Sequence, residues 1–96
     1  MIIKVKGYLT YRDLIGQREI ELPDDIPVTF LGFVCHLADE ISGEQGRALF
    51  DRQTGTVGPS VAIMLNGVHY NHLPGRLKTV LKDGDEIAVF PPGVGG

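Results

Sequence analysis

The chain has 96 residues, of which 43% are hydrophobic and 22% charged, with a formal net charge of -3 at pH 7 and a pI of about 5.5. This length and composition fit one ordinary globular domain, and the acidic balance argues against a nucleic-acid-binding protein. With Cys35 as the only cysteine, no signal-peptide core and no apolar run near the roughly 20 residues that span a bilayer, we expect a cytoplasmic protein without an internal disulfide or a membrane segment.

Two alternating segments open the chain. Residues 2–9 alternate between apolar and polar side chains, which predicts a half-exposed strand with Leu9 on its inner face and Tyr8 on its outer face. Residues 18–22 alternate again after a polar connection. The two segments therefore predict a hairpin with a loop of several residues.

A single helix is predicted next. Residues 23–27 contain two prolines and two aspartates, which break the strand pattern, and Thr29 is placed to cap a helix. The helix carries one apolar stripe that consists of Phe30, Leu31, Val34, Leu37, Ala38 and Ile41. A short helical turn is expected within residues 46–52, and residues 54–60 are expected to form a loop.

The strongest local signal is a second hairpin. Asn66-Gly67 lies between the apolar segments 61–65 and 68–70, and this dipeptide favours a two-residue turn because both residues need positive φ. Pairing across the turn predicts an inner, core-facing set of Val61, Ile63, Leu65, Val68 and Tyr70, and an outer set of Ala62, Met64 and His69.

A final strand is predicted over residues 86–90, after a turn formed by residues 83–85. Its alternation places Phe90 on the outer face. If the first and last strands lie side by side, Tyr8 and Phe90 share one surface, and His69 extends it across the sheet. Exposed aromatic side chains often anchor a partner, and Phe90 directly precedes the C-terminal residues 91–96. This surface is therefore our candidate interface.

Other reactive side chains favour structural interpretations. Cys35 and His36 are adjacent, so on a helix they point in different directions and cannot form a catalytic pair; Cys35 is expected to be buried. His69 and His72 lack further ligands around them, and no metal site is predicted.

The sequence ends in Gly95-Gly96, a slim tail that could enter a narrow channel. Pro91 and Pro92 favour a stiff start to this tail, and the six residues after Phe90 would reach about 20 Å when extended. A terminal carboxylate is a poor electrophile at neutral pH, so it must be activated, for instance as an acyl adenylate from which a sulfur nucleophile displaces AMP. An inert, frayed tail is the competing interpretation.

The chain resembles the MoaD/ThiS family of ubiquitin-like sulfur carriers over nearly its whole length. The resemblance rests on the run from Asp83 to Pro92 with the terminal diglycine, on the Arg12 to Gly16 segment, and on the strand that ends at Asn66. It implies an α+β fold of the β-grasp (ubiquitin-like) class, with a mixed sheet packed on one main helix. Residues 1–90 would form the β-grasp domain and residues 91–96 a flexible C-terminal tail.

The resemblance also implies a function. An E1-like adenylating enzyme would use ATP to adenylate Gly96, which would then carry a thiocarboxylate, while Gly95 keeps the tail slim. The partner-binding residues are expected to be Tyr8, His69, Phe90, Pro91, Pro92, Gly93 and Val94. The protein itself would be a cosubstrate that binds no cofactor and no metal, with neither nucleic acid nor membrane as a partner.

The destination of the sulfur stays open at this point. Molybdopterin synthesis is the leading destination, with the large subunit of molybdopterin synthase as the partner, but Gly93 before Val94 departs from the usual tail of that branch. Thiamine or amino-acid biosynthesis would use another sulfur-accepting enzyme. Two functions without sulfur transfer also remain open, namely a ubiquitin-like modifier that is joined to lysines and a plain interaction module.

Overall fold

The computed structural model describes residues 1–41, 43–58 and 61–91. The strands are β1 (Ile2–Gly7), β2 (Gln17–Glu21), β3 (Phe50–Asp51), β4 (Thr56–Val57), β5 (Ala62–Leu65), β6 (Val68–His69) and β7 (Glu86–Phe90). The α-helices are α1 (Thr10–Leu14), α2 (Phe30–Ile41) and α3 (Gly43–Leu49), and two 3₁₀ helices cover Tyr70–His72 and Arg76–Lys78.

The main sheet has five strands in the order β2-β1-β7-β5-β6, and β3 and β4 form a separate two-stranded sheet. The first and last strands pair in parallel, whereas the other neighbours in the main sheet are antiparallel. A mixed sheet with α2 as its main helix is the α+β arrangement predicted for a β-grasp fold.

The core lies between α2 and one face of the sheet. The backbone N–H of Gly32 donates to Thr29 Oγ1 at 3.1 Å, so Thr29 caps the helix as predicted. Phe33 is also buried, although it lies outside the predicted stripe. The buried helix residues are Phe30, Phe33, Val34, Leu37 and Ala38, and the buried residues of the sheet include Ile3, Val5, Ile63, Leu65, Ile87 and Val89.

The Asn66-Gly67 hairpin is confirmed. Asn66 and Gly67 have φ of 52° and 83°, and Leu65 pairs with Val68 across the turn. The prediction that Val68 faces the core is wrong, since its side chain is 41% exposed. The edge strand β6 has only two residues, and the following 3₁₀ helix brings Tyr70 against the core in place of Val68.

The connection between β1 and β2 differs from the prediction. β1 ends at Gly7, and Leu9 is 56% exposed instead of lying on the inner face of a strand. The chain turns at Leu9 into α1, which buries Tyr11 in its place. Cys35, predicted to be buried, is half-buried.

The Asp83 to Asp85 segment is a turn, as predicted. Asp83 Oδ1 accepts a hydrogen bond from the backbone N–H of Ile2 at 2.7 Å, and Asp85 Oδ2 accepts one from the N–H of Lys82 at 2.8 Å. Both carboxylates therefore stabilise the entry to β7. Within the described residues, none of the helices has the length and apolar character needed to span a bilayer.

Candidate docking surface and tail

The parallel pairing of β1 with β7 brings Tyr8 beside Phe90. The backbone N–H of Tyr8 donates to the carbonyl of Val89 at 3.0 Å, which continues the register beyond the end of β1. The two rings stack with centroids 4.4 Å apart and an angle of 11° between their planes. The prediction that these aromatic side chains share the outer face is confirmed.

The outer face around this pair is a shallow depression of about 420 Å³. Its lining includes the apolar side chains of Met64 and Ala88, which pair across β5 and β7. Lys4, Lys6 and Glu86 also line it, and the Lys6 ammonium is 5.1 Å from the Tyr8 ring centroid, within the range of a cation–π interaction. A surface that combines apolar and charged side chains is compatible with a protein interface.

His69 lies on the same face but at the far edge of the sheet. It pairs with Met64, and Met64 pairs with Ala88, so three strand spacings of about 4.8 Å separate His69 from the β1 position. Its ring stacks on Tyr70 at 4.6 Å, and its Nδ1 accepts a hydrogen bond from the N–H of Asn71 at 3.2 Å. His69 therefore helps to begin a 3₁₀ helix and does not contact the Tyr8–Phe90 pair.

The root of the tail lies at the end of β7. Phe90 is half-buried and Pro91 is buried, so both pack against the domain. The remaining predicted tail residues, Pro92, Gly93, Val94, Gly95 and Gly96, lie outside the described residues. Their predicted roles, and the domain boundary after residue 90, stay predictions.

A buried tyrosine packs in the core at this end of the sheet. Tyr11 is fully buried, and its hydroxyl donates to the carbonyl of Gln45 at 3.1 Å, which connects α1 to α3. Burial raises the pKa of Tyr11 above its ordinary value. The sequence did not predict the burial of Tyr11, because the alternation of residues 2–9 does not show where the strand ends.

The other reactive side chains do not form a catalytic set in the described part of the chain. His36 Nε2 lies 3.3 Å from Glu40 Oε1, one helical turn away, and Cys35 is not part of that pair. The rings of His69 and His72 are 6.2 Å apart, and residues 1–41, 43–58 and 61–91 contain no group of three or more potential metal ligands. The described surface is suited to binding, and the reactive group predicted from the sequence is the carboxylate of Gly96.

Comparison with protein families agrees with this description. The model of the ThiS family matches residues 8–96. Small archaeal modifier protein 3 of Haloferax volcanii is 35% identical over 96 residues, which is 100% of this chain and 100% of that protein.

Two solved structures are similar over almost the whole chain. The small archaeal modifier protein 1 of Methanosarcina acetivorans has a TM-score of 0.73 and 28% identity, and the match covers 99% of this chain and 96% of that one. A putative molybdopterin converting factor subunit 1 from Pyrococcus furiosus has a TM-score of 0.64 and 26% identity, covering 95% of this chain and 97% of that one. These likenesses show the ubiquitin-like β-grasp fold.

Proposed function

The chain belongs to the ThiS family, and we propose on that premise that Gly96 is adenylated by an E1-like enzyme and converted to a thiocarboxylate that donates sulfur. The family comprises small ubiquitin-like sulfur carriers and protein modifiers, which are not themselves catalytic enzymes. The protein is then a cosubstrate whose reactive end is presented to successive partner enzymes.

The stacked pair of Tyr8 and Phe90 is the observation that carries this proposal. It forms an apolar surface immediately before the segment that leads to Gly96, at the end of the sheet where β7 finishes. An enzyme that reacts with the tail must hold this end of the domain, and a rigid aromatic pair offers contact area at a low cost in side-chain entropy.

The chemistry takes place at the Gly96 carboxyl carbon. Its carboxylate oxygen attacks the α-phosphate of ATP, which releases pyrophosphate and forms an acyl adenylate. A persulfide on a partner then attacks the carbonyl carbon and expels AMP, which leaves an acyl disulfide. A thiol of the partner cleaves the sulfur–sulfur bond, so that a protein disulfide forms and the thiocarboxylate is released.

Molybdopterin synthesis is the destination that we propose first, with the large subunit of molybdopterin synthase as the acceptor. The run from Asp83 to Pro92 and the likeness to a putative molybdopterin converting factor subunit support it. A thiazole synthase or a sulfhydrylase would replace that partner if the sulfur enters thiamine or amino-acid synthesis.

A second candidate function is protein modification, in which a lysine amine attacks the activated Gly96 and forms an isopeptide bond. The full-length match to small archaeal modifier protein 3 favours it. Both functions begin with the same adenylation, so both need the same docking surface.

Mass spectrometry separates the two functions. The chain is incubated with the adenylating enzyme, ATP and a sulfur donor, and its intact mass is measured. Replacement of one carboxyl oxygen by sulfur supports the carrier. Trypsin cleaves after Lys82, so lysines of other proteins that bear a branched remnant of residues 83–96 after tryptic digestion support the modifier. If neither product forms, the tail is inert.

The sulfur recipient is then identified by supplying candidate enzymes. The thiocarboxylated chain is mixed with the large subunit of molybdopterin synthase and its pterin precursor, and return of Gly96 to the carboxylate is followed by mass. A chain that keeps its sulfur with this enzyme and loses it with another sulfur-accepting enzyme excludes the molybdopterin destination.

A further inference from the structure

Leu9 occupies a backbone conformation that favours glycine. Its φ of 56° and ψ of -118° are those of the first central residue of a type II′ turn, and the N–H of Tyr11 donates to the carbonyl of Tyr8 at 3.0 Å to close that turn. Glycine is the usual residue there because a Cβ crowds the backbone. A leucine at this position is therefore strained.

Burial does not compensate for this strain. The side chain of Leu9 is 56% exposed, whereas Tyr11, two residues later, is fully buried and contributes to the core. An exposed leucine needs no explanation when its backbone is relaxed. A strained leucine that gains little from packing suggests that its side chain is needed for an interaction outside the domain.

The position of Leu9 indicates which interaction. Leu9 directly follows Tyr8, whose ring stacks on Phe90 at the root of the tail, so the exposed Leu9 side chain lies at the same end of the sheet as that pair. We propose that Leu9 is a specificity residue that inserts into an apolar pocket of the adenylating enzyme. This inference rests on the proposed function, since adenylation is the step shared by the carrier and the modifier.

Two substitutions test the inference, because together they distinguish the effect of the Leu9 side chain from the effect of its backbone strain. Leu9→Gly removes both, so it should raise the Tm by about 4–8 °C and raise the KM of the adenylating enzyme for this chain by about 3- to 10-fold. Leu9→Ala keeps a Cβ and its strain, so it should raise KM similarly without raising the Tm. The kcat of ATP–pyrophosphate exchange should stay the same in both variants, because Gly96 is unchanged.

Ile26→Ala is the matched control. Ile26 is 58% exposed, slightly more than Leu9, but it lies between β2 and α2, at the end of the sheet opposite the tail root. Its substitution should leave KM unchanged. The inference is overturned if the wild-type chain is adenylated and both Leu9 variants keep the wild-type KM, whereas a wild-type chain that is not adenylated overturns the proposed function itself.

Discussion

Tyr8 and Phe90 stack almost face to face, with 4.4 Å between ring centroids, although one residue follows the first strand and the other ends the last. The parallel register of β1 and β7 produces this contact. Because Phe90 is also the last residue of β7, the stack places a rigid apolar surface directly before the tail.

Replacing Phe90 with glutamate should weaken binding to the adenylating enzyme by at least about 10-fold, since it replaces half of the aromatic pair with a charge. The domain should still fold, with a stability loss of about 1 kcal/mol from the lost stack. A binding titration measures the affinity, and Phe90→Tyr, which keeps the ring, is the control. Equal affinities for the wild type and the glutamate variant would reject the docking surface.

Deleting Gly96 should abolish both adenylation and sulfur transfer, because the reacting carboxyl group is then displaced by one residue. The Tm should not change, since the residues of the described hydrophobic core lie between Ile3 and Val89. ATP–pyrophosphate exchange and thermal unfolding provide the two measurements. Ile26→Ala, at the end of the sheet opposite the tail root, is the control and should retain activity. Sulfur transfer by the truncated chain would show that the Gly96 carboxyl group is not the reacting group.

Gly7→Ala should destabilise the domain by about 2–4 kcal/mol. A Cβ at Gly7 would lie 2.3 Å from the carbonyl oxygen of Tyr11, a backbone atom that cannot move without displacing α1. Urea unfolding measures the loss. Gly67→Ala is the control, because its Cβ would meet no atom within 4 Å and only its positive φ is unfavourable, at about 1 kcal/mol. A loss at Gly7 no larger than at Gly67 would show that α1 adjusts freely.

The side chain of Asn66 should contribute beyond its turn conformation. Its Nδ2 donates to Asp85 Oδ1 at 3.0 Å, and its Oδ1 accepts from the N–H of Glu86 at 2.9 Å. Asn66→Gly keeps positive φ accessible but loses both bonds, so we expect a loss of about 1–2 kcal/mol. Asn66→Ala also strains the turn and should lose about 1 kcal/mol more. Equal stabilities of wild type and Asn66→Gly in urea unfolding would exclude the side-chain contribution.

Stability should fall in alkaline solution because burial raises the pKa of Tyr11. Above a pH of about 10 the unfolded chain releases this phenolic proton while the folded chain retains it, so the unfolded state binds fewer protons. The contribution is complete below the unfolded pKa and is lost as pH rises through the folded pKa. Tyr11→Phe should flatten this alkaline decline at constant ionic strength.

At neutral pH the same substitution should lower the stability by about 1 kcal/mol, because the carbonyl of Gln45 loses its hydrogen-bond donor. Urea unfolding between about pH 7 and 11 measures the stability of the wild type and of Tyr11→Phe at neutral and at alkaline pH. An alkaline decline of the same size in Tyr11→Phe would assign the effect to other groups.

Local signals in the sequence predicted the parts of the fold that depend on local chemistry. The Asn66-Gly67 turn and the Thr29 cap each follow from one or two residues, and the structure confirms both. The shared face of Tyr8 and Phe90 also followed from strand alternation, once the two strands were assumed to be neighbours. Alternation is reliable here because both strands have one buried face.

Other features depend on contacts between distant segments and could not be predicted locally. Leu9 continues the alternation of β1, yet the strand ends at Gly7 because α1 packs against it there. Strand alternation groups Val68 with the core-facing residues, but Val68 lies in a short edge strand that the core does not cover. Of the candidate site, the outer aromatic pair was predicted, whereas the burial of Pro91 and the strain at Leu9 required the structure.

The pairing of β1 with β7 also affects when the protein can react. The two strands come from opposite ends of the chain, so their ladder forms only after synthesis has passed Phe90, and contacts of such long sequence separation form late in folding. An adenylating enzyme that docks on Tyr8 and Phe90, as proposed, would therefore recognise only chains in which β1 and β7 have paired. ATP would then be spent on folded domains and not on chains still being synthesised.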